Sequence, residues 1–471
     1  MSIDIRIAMV NLCLLIVFLL QVLFQVVVSH STVKFLPGFH GPLPFHLETG
    51  YVGVGEQEDV QLFYYFMKSQ GNAEEDPLLL WLTGGPGCSA FSGLVFETGP
   101  IHFEMKEYNG SLPTFVLNPY SWTQVASIIY IDMPVGTGFS YARTPLASQR
   151  GDFEQVSQGA QFLRKWLMDH QEFLSNPVYV VGESYTGLII PAMVQMISEG
   201  NDEGIKPPIN IKGYVLGNPV TNSTFDLNSK IPYAHGMGLI SDELYESLKK
   251  SCGGEYQKID SSNVECLKNV EAFDKCISGI KESHILEPKC IYVSPRPVEM
   301  FGRRRSLNEN PLEFLHLELD FPDTIGCRDY GFVLASYWAN DNNVRKALHI
   351  REGSIGTWHR CNYKSYKNQI KSSIKYHIDL GNKGYRRLIY SGDHDMRIPF
   401  LGTQAWIRSL NYSLIDDWRP WHFQGQVAGY TRTYSNQLVF ATVKGGGHTA
   451  PEFRPAECLA MLKRWLIQET L

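Results

Sequence analysis

Charge is scarce in this sequence. Lys, Arg, Asp and Glu make up 19% of the 471 residues, and 42 basic against 48 acidic side chains leave a formal charge of −6. The only dense basic run is Arg303-Arg304-Arg305, so a nucleic-acid partner, which would call for clustered Lys and Arg, is not expected. Neither HExxH nor CxxC occurs, and there is no internal repeat. With 41 Gly and 25 Pro, the chain is also too poor in both for a collagen-like or low-complexity protein. What is present is ordinary globular material: 44% hydrophobic residues, enough for a large core and for up to about three domains, or for one α/β domain with insertions.

Long apolar runs are also missing, with one exception. Residues 7–28 are almost wholly apolar and run into Ser29-His30-Ser31-Thr32, which predicts a secretory signal peptide over 1–30, with an uncleaved anchor as the alternative. Export implies an oxidising compartment. Cys13 lies within the leader, leaving Cys88, Cys252, Cys266, Cys276, Cys290, Cys327, Cys361 and Cys458. Spacing alone cannot choose among their pairings. Sequons at Asn109, Asn222 and Asn411 fit an exported glycoprotein.

The apolar runs Pro77 to Thr83 and Ser127 to Pro134 stop at Gly-rich turns, the pattern of strands buried on both faces of a parallel sheet. Residues Phe153 to His170 carry apolar positions at helical spacing, and Pro177 to Val181 reads as the next strand. Strand, helix, strand predicts an α/β fold. Further strands are expected at Ile211–Gly217, Arg387–Tyr390 and Leu438–Val443, with a closing amphipathic helix from Pro455. The reading is a core in two parts, 31–218 and 361–471, interrupted by a helical cap insertion over 219–360. Within that insertion, residues 292–326 are expected to form an exposed loop open to proteases.

The most informative segment is Gly182-Glu183-Ser184-Tyr185-Thr186-Gly187 after an apolar strand. A serine between glycines at a strand-to-helix turn is the setting of a nucleophile elbow, although Thr186 takes the place of the second Gly in G-x-S-x-G. A serine needs a base and the base an orienting carboxylate. Asp393 follows one predicted strand and His448 another, in the Ser, Asp, His order of α/β hydrolases. Asp393-His394-Asp395 would suit a metal, but no companion motif supports one, and neither metal nor cofactor is expected. Glycine N–H groups of the Gly84-Gly85-Pro86-Gly87 loop, with that of Tyr185, suit an oxyanion hole.

These motifs, Trp81 to Ser89, Gly182 to Gly187, Ser391 to Asp393 and Gly445 to Pro455, resemble the serine carboxypeptidase family, and especially its plant carboxypeptidase-like branch, from about residue 34 to the carboxyl end. The resemblance implies an α/β-hydrolase fold with a central, mostly parallel sheet. It implies Ser184 as nucleophile, His448 as base, Asp393 as its orienter, and Gly85 with Tyr185 as oxyanion donors. It further implies disulfides Cys88 to Cys361, Cys252 to Cys266 and Cys290 to Cys327, with Cys276 and Cys458 left over, and residence in the vacuole or outside the cell.

Family exopeptidases grip the substrate's terminal carboxylate with an Asn-Gly pair and two glutamates sharing a proton. Here Gly84, Glu97 and Glu183 match, and Thr83 replaces the Asn. Thr offers one hydroxyl where Asn offers two N–H donors. The resemblance therefore implies an acyltransferase that moves an acyl group from a glucose ester to a small-molecule hydroxyl or amine acceptor. The alternative is a carboxypeptidase acting on peptide C-termini, and a third reading is a catalytically silent binder.

Overall fold

The computed structural model describes residues 30–290 and 327–471. Residues 1–29 of the predicted leader and the whole expected loop 292–326, with its Arg303-Arg304-Arg305 run, lie outside the described residues; His30, the last residue of the predicted leader, begins a strand. The principal sheet has twelve strands among these residues: β1 (His30–Thr32), β2 (Leu47–Val54), β3 (Val60–Met67), β4 (Leu78–Leu82), β5 (Ser127–Ile131), β6 (Tyr141–Ala142), β7 (Val178–Glu183), β8 (Ile211–Gly217), β9 (Arg386–Gly392), β10 (Leu414–Phe423), β11 (Gln426–Tyr434) and β12 (Leu438–Val443). Their order across the sheet is β1-β2-β3-β5-β4-β7-β8-β9-β12-β11-β10, with β6 beside β3.

The sheet is mixed. Strands β5, β4, β7, β8, β9 and β12 are mutually parallel, whereas β1, β2 and β3 on one side and β11 and β10 on the other run antiparallel. The expectation of a mostly parallel sheet holds for its centre and fails at both edges. Central strands must be covered on both faces, so they read as uninterrupted apolar runs; edge hairpins need no such run. The β10–β11 hairpin closes on Gln424 and Gly425, at φ 49° and 74°, the two left-handed positions that a two-residue hairpin turn demands.

Among the helices of the described residues are α1 (Asp152–Asp169), α2 (Thr186–Asp202), α3 (Asp242–Cys252), α4 (Val264–Ile277), α5 (Tyr330–Ala339) and α6 (Pro455–Leu466). One core lies under α1 and α2, where Phe162, Trp166, Ile189 and Met193 meet Leu80, Val180 and Leu216. The opposite core carries Trp338 of α5 and Met461 of α6 against Trp81, Val181 and Leu388. A third, smaller core joins Tyr233, Leu248, Val270 and Phe273 with Met396.

Three disulfides join Cys88 to Cys361, Cys252 to Cys266 and Cys290 to Cys327, while Cys276 is exposed and Cys458 buried, both as thiols. The sequon residues Asn109 and Asn411 are exposed; Asn222 is half-buried and caps a short helix by accepting from Thr224 N–H. Among the described residues, no helix is long and apolar enough to cross a membrane.

Candidate active site

Ser184 follows β7 and stands just ahead of α2 with φ 57°, a left-handed conformation that costs a non-glycine residue about 1 kcal/mol or more and marks a site held by its surroundings. Its neighbours show why the turn carries Thr186 followed by Gly187. The Thr186 hydroxyl donates to the Glu183 carbonyl at 2.7 Å. A Cβ on Gly187 would lie 2.4 Å from the Val220 carbonyl oxygen and 2.6 Å from Pro219 Cβ. The glycine is needed where α2 crosses that segment, one position later than the sequence pattern suggests.

His448, after β12, brings Nε2 to 2.8 Å from Ser184 Oγ. Its Nδ1 is 2.7 Å from Asp395 Oδ2. Asp393, the expected partner, is elsewhere: its Oδ1 accepts from Gly445 N–H at 2.7 Å and faces His394 Nδ1 at 2.6 Å. The chain turns immediately after β9, so position 393 falls on a partly exposed corner, and position 395 returns beneath the imidazole with its side chain fully buried. Asp395 Oδ2 also receives Asn218 Nδ2–H at 2.9 Å, and Oδ1 receives the Arg397 N–H at 2.7 Å. Asn218 escaped the sequence reading. It lies directly after β8, and a polar residue at that carboxyl end was the available sign.

The Gly loop that carries the expected oxyanion donor Gly85 abuts the elbow. Gly84 packs so closely on the elbow that an added Cβ would lie 2.7 Å from Ser184 Cβ and 3.2 Å from Tyr185 N. Neither the Gly85 nor the Tyr185 backbone N–H donates to a protein group among the described residues. Tyr185 is also the residue at the start of α2, where the helix dipole favours developing negative charge. Its side chain is fixed by a 2.7 Å hydrogen bond from its hydroxyl to Asp152 Oδ1. The Gly loop itself is tied down by the Cys88 disulfide and by Asp132, which accepts from Ser89 Oγ at 2.6 Å and Ala90 N–H at 2.9 Å.

Glu97 and Glu183 lie buried beside this loop and hydrogen-bond to each other. Burial raises both carboxyls well above the usual range, and the nearby Glu452 adds to the rise while Arg360 opposes it. Two carboxylates this close cannot both ionise cheaply, so the pair titrates as a unit and holds on to a proton. Thr83 Oγ1 accepts from Trp81 Nε1–H at 3.0 Å, which leaves its hydroxyl hydrogen as the one donor it can offer a ligand.

A stability prediction follows from these and two further carboxyls. Burial pushes Asp132 up to about 6 and Asp226 up to about 7 from an ordinary 3.8. A raised carboxyl holds a proton in the folded chain that the unfolded chain releases, so its contribution is complete below about pH 4 and is lost as pH rises through the folded value. Melting temperature should therefore fall between about pH 4.5 and about pH 7, each such carboxyl adding a slope of up to about 1.4 kcal/mol per pH unit. Asp226→Asn should flatten the dependence in calorimetry across that range.

With this geometry in hand, the likeness to known proteins is direct. A family model described as serine carboxypeptidase matches residues 37–468. Serine carboxypeptidase-like 7 of Arabidopsis thaliana is 54% identical over 98% of this chain and 99% of its own length. Serine carboxypeptidase-like 2 of the same plant is 55% identical over 94% and 93%. Among solved structures, the prohormone-processing carboxypeptidase Kex1 of Saccharomyces cerevisiae shares the fold at a TM-score of 0.73, with 19% identity, over 93% of this chain and 96% of that one. Matched in sequence from end to end of its described core and in fold across the whole sheet, the chain belongs to the serine carboxypeptidase family.

Proposed function

We propose that this protein is a serine carboxypeptidase-like acyltransferase that takes its acyl group from a glucose ester. Ser184 Oγ attacks the ester carbonyl as His448 Nε2 accepts its proton, and Asp395 holds the imidazole in the required tautomer and stabilises the imidazolium. The Gly85 and Tyr185 N–H groups receive the charge that develops on the carbonyl oxygen. Glucose leaves with the proton from His448. An acceptor hydroxyl or amine then attacks the acyl carbon and gives its proton to His448, which passes it to Ser184 Oγ as the bond between that oxygen and the acyl group breaks.

The observation that carries transfer over peptidolysis is Thr83. Its hydroxyl oxygen is already engaged by Trp81, so a carboxylate beside Gly84 would meet a single donor, although the proton-sharing pair Glu97 and Glu183 remains in place. Release of C-terminal amino acids at acidic pH is the second reading, favoured by that retained pair. A silent binder is disfavoured by the 2.8 Å contact between base and nucleophile.

Purified protein should be offered a hydroxycinnamoyl or galloyl glucose with acceptor alcohols and amines, and separately a blocked dipeptide. Ester transfer with little amino-acid release is expected; release without transfer would reverse the assignment. A serine-directed phosphonate should label Ser184, and Ser184→Ala should abolish both labelling and turnover. Thr83→Asn restores two amide donors, and we expect it to raise dipeptide hydrolysis relative to transfer by about tenfold, the worth of one added hydrogen bond to a charged group. The ratio of the two kcat/KM values measures it.

A further inference from the structure

Three imidazoles converge on one carboxylate at the antiparallel edge of the sheet. Glu48 of β2 places Oε1 2.9 Å from His170 Nε2, and Oε2 3.4 Å from His30 Nδ1 and 4.0 Å from His46 Nε2. The ligand-type atoms of His30, Glu48 and His170 all lie within 4.8 Å of one another. Between β2 and β7, which bears the elbow, stand β3, β5 and β4, so the cluster is separate from the acyl-transfer chemistry.

His170 follows α1, and its Nδ1 lies 2.9 Å from the Trp166 carbonyl oxygen. That oxygen can only accept, so Nδ1 carries a hydrogen, the arrangement that orients metal-bound imidazoles. In the neutral ring Nε2 then turns a lone pair toward Glu48 Oε1, which already receives the Tyr64 hydroxyl at 2.7 Å. Lone pairs facing across 2.9 Å require positive charge between them. A proton on His170 would serve that one contact. It would do nothing for His30 Nδ1, which faces the other carboxylate oxygen at 3.4 Å.

A divalent cation would serve His30, Glu48 and His170 together. Zinc held tetrahedrally with bonds near 2.0–2.1 Å separates its ligand atoms by about 3.3 Å; His30 Nδ1 lies 3.4 Å from Glu48 Oε2 and His170 Nε2 lies 2.9 Å from Oε1, so either oxygen can face the ion. The carboxyl end of α1 and Glu172 add negative potential at His170. Lys68, which faces His46, opposes it. We propose that His30, Glu48 and His170 form a zinc-type site, completed by water, that fastens β1 and β2 to the end of α1.

The test uses the full mature chain, stripped with chelator and titrated with Zn²⁺ and with Co²⁺. One ion per chain, visible cobalt bands of four-coordinate type and a rise in melting temperature are expected. His30→Gln, at a partly exposed side chain, should weaken binding by about tenfold or more while leaving the unloaded protein folded. Absence of stoichiometric uptake by a folded chain, uptake indifferent to that substitution, or a mature amino terminus beyond His30 would each overturn the proposal.

Discussion

Asp395→Asn is expected to lower kcat/KM for acyl transfer by about 10⁴-fold, the scale seen when the orienting carboxylate of a serine triad becomes an amide and the imidazole takes the wrong tautomer. Asp393→Asn should keep most of the activity. Both residues follow the same strand, and the difference between them is one of placement. Asp395 is fully buried and meets His448 Nδ1 at 2.7 Å, whereas Asp393 touches the Gly445 backbone and His394, contacts that an amide oxygen at the same position can partly reproduce. Steady-state kinetics together with the rate of phosphonate labelling at Ser184 would separate the pair. A crippled Asp393→Asn beside an active Asp395→Asn would transfer the role back to Asp393.

Gly84→Ala should cost about 10²-fold or more in kcat/KM with little loss of melting temperature. The added methyl has nowhere to go: 2.7 Å from Ser184 Cβ and 2.9 Å from the Glu183 carbonyl oxygen, it must push the elbow away from the Gly loop. A displacement of about 1 Å at reacting atoms suffices for such a loss. Because the surrounding sheet is untouched, the penalty should appear in turnover rather than in unfolding. Unchanged kcat/KM would mean that the loop yields freely and takes no part in catalysis.

Much of this was legible from residues alone, for identifiable reasons. Strands β4, β5, β7, β8 and β12 announce themselves because burial on both faces writes a continuous apolar run. The β10–β11 hairpin was missed, since half-covered strands mix polar and apolar positions; β10 reads Leu-Ile-Asp-Asp-Trp-Arg-Pro-Trp-His-Phe. The β2–β3 hairpin was missed for a different reason: it is buried almost throughout, but Glu48, Thr49 and Gln61 interrupt its apolar pattern. Ser184 and His448, which meet at 2.8 Å, stood out in the sequence because each sits at a strand's carboxyl end with glycines beside it. The carboxylate that meets His448 lies two positions past the one expected, because sequence order fixes which loop carries it and not how that loop turns. Asn218 and Asp152 act through contacts that only the folded chain creates, and no local pattern marks them.

The Cys290–Cys327 bridge closes over the tribasic run, and Cys88–Cys361 joins the two core segments on either side of it. A protease cutting anywhere between positions 290 and 327 would therefore release nothing after one cut. The product would migrate as a single species on a non-reducing gel and separate into a heavier and a lighter polypeptide once thiol is added. Maturation by nicking, if a cell performs it, would leave the halves tethered and Ser184 still opposite the segment that delivers Asp395 and His448.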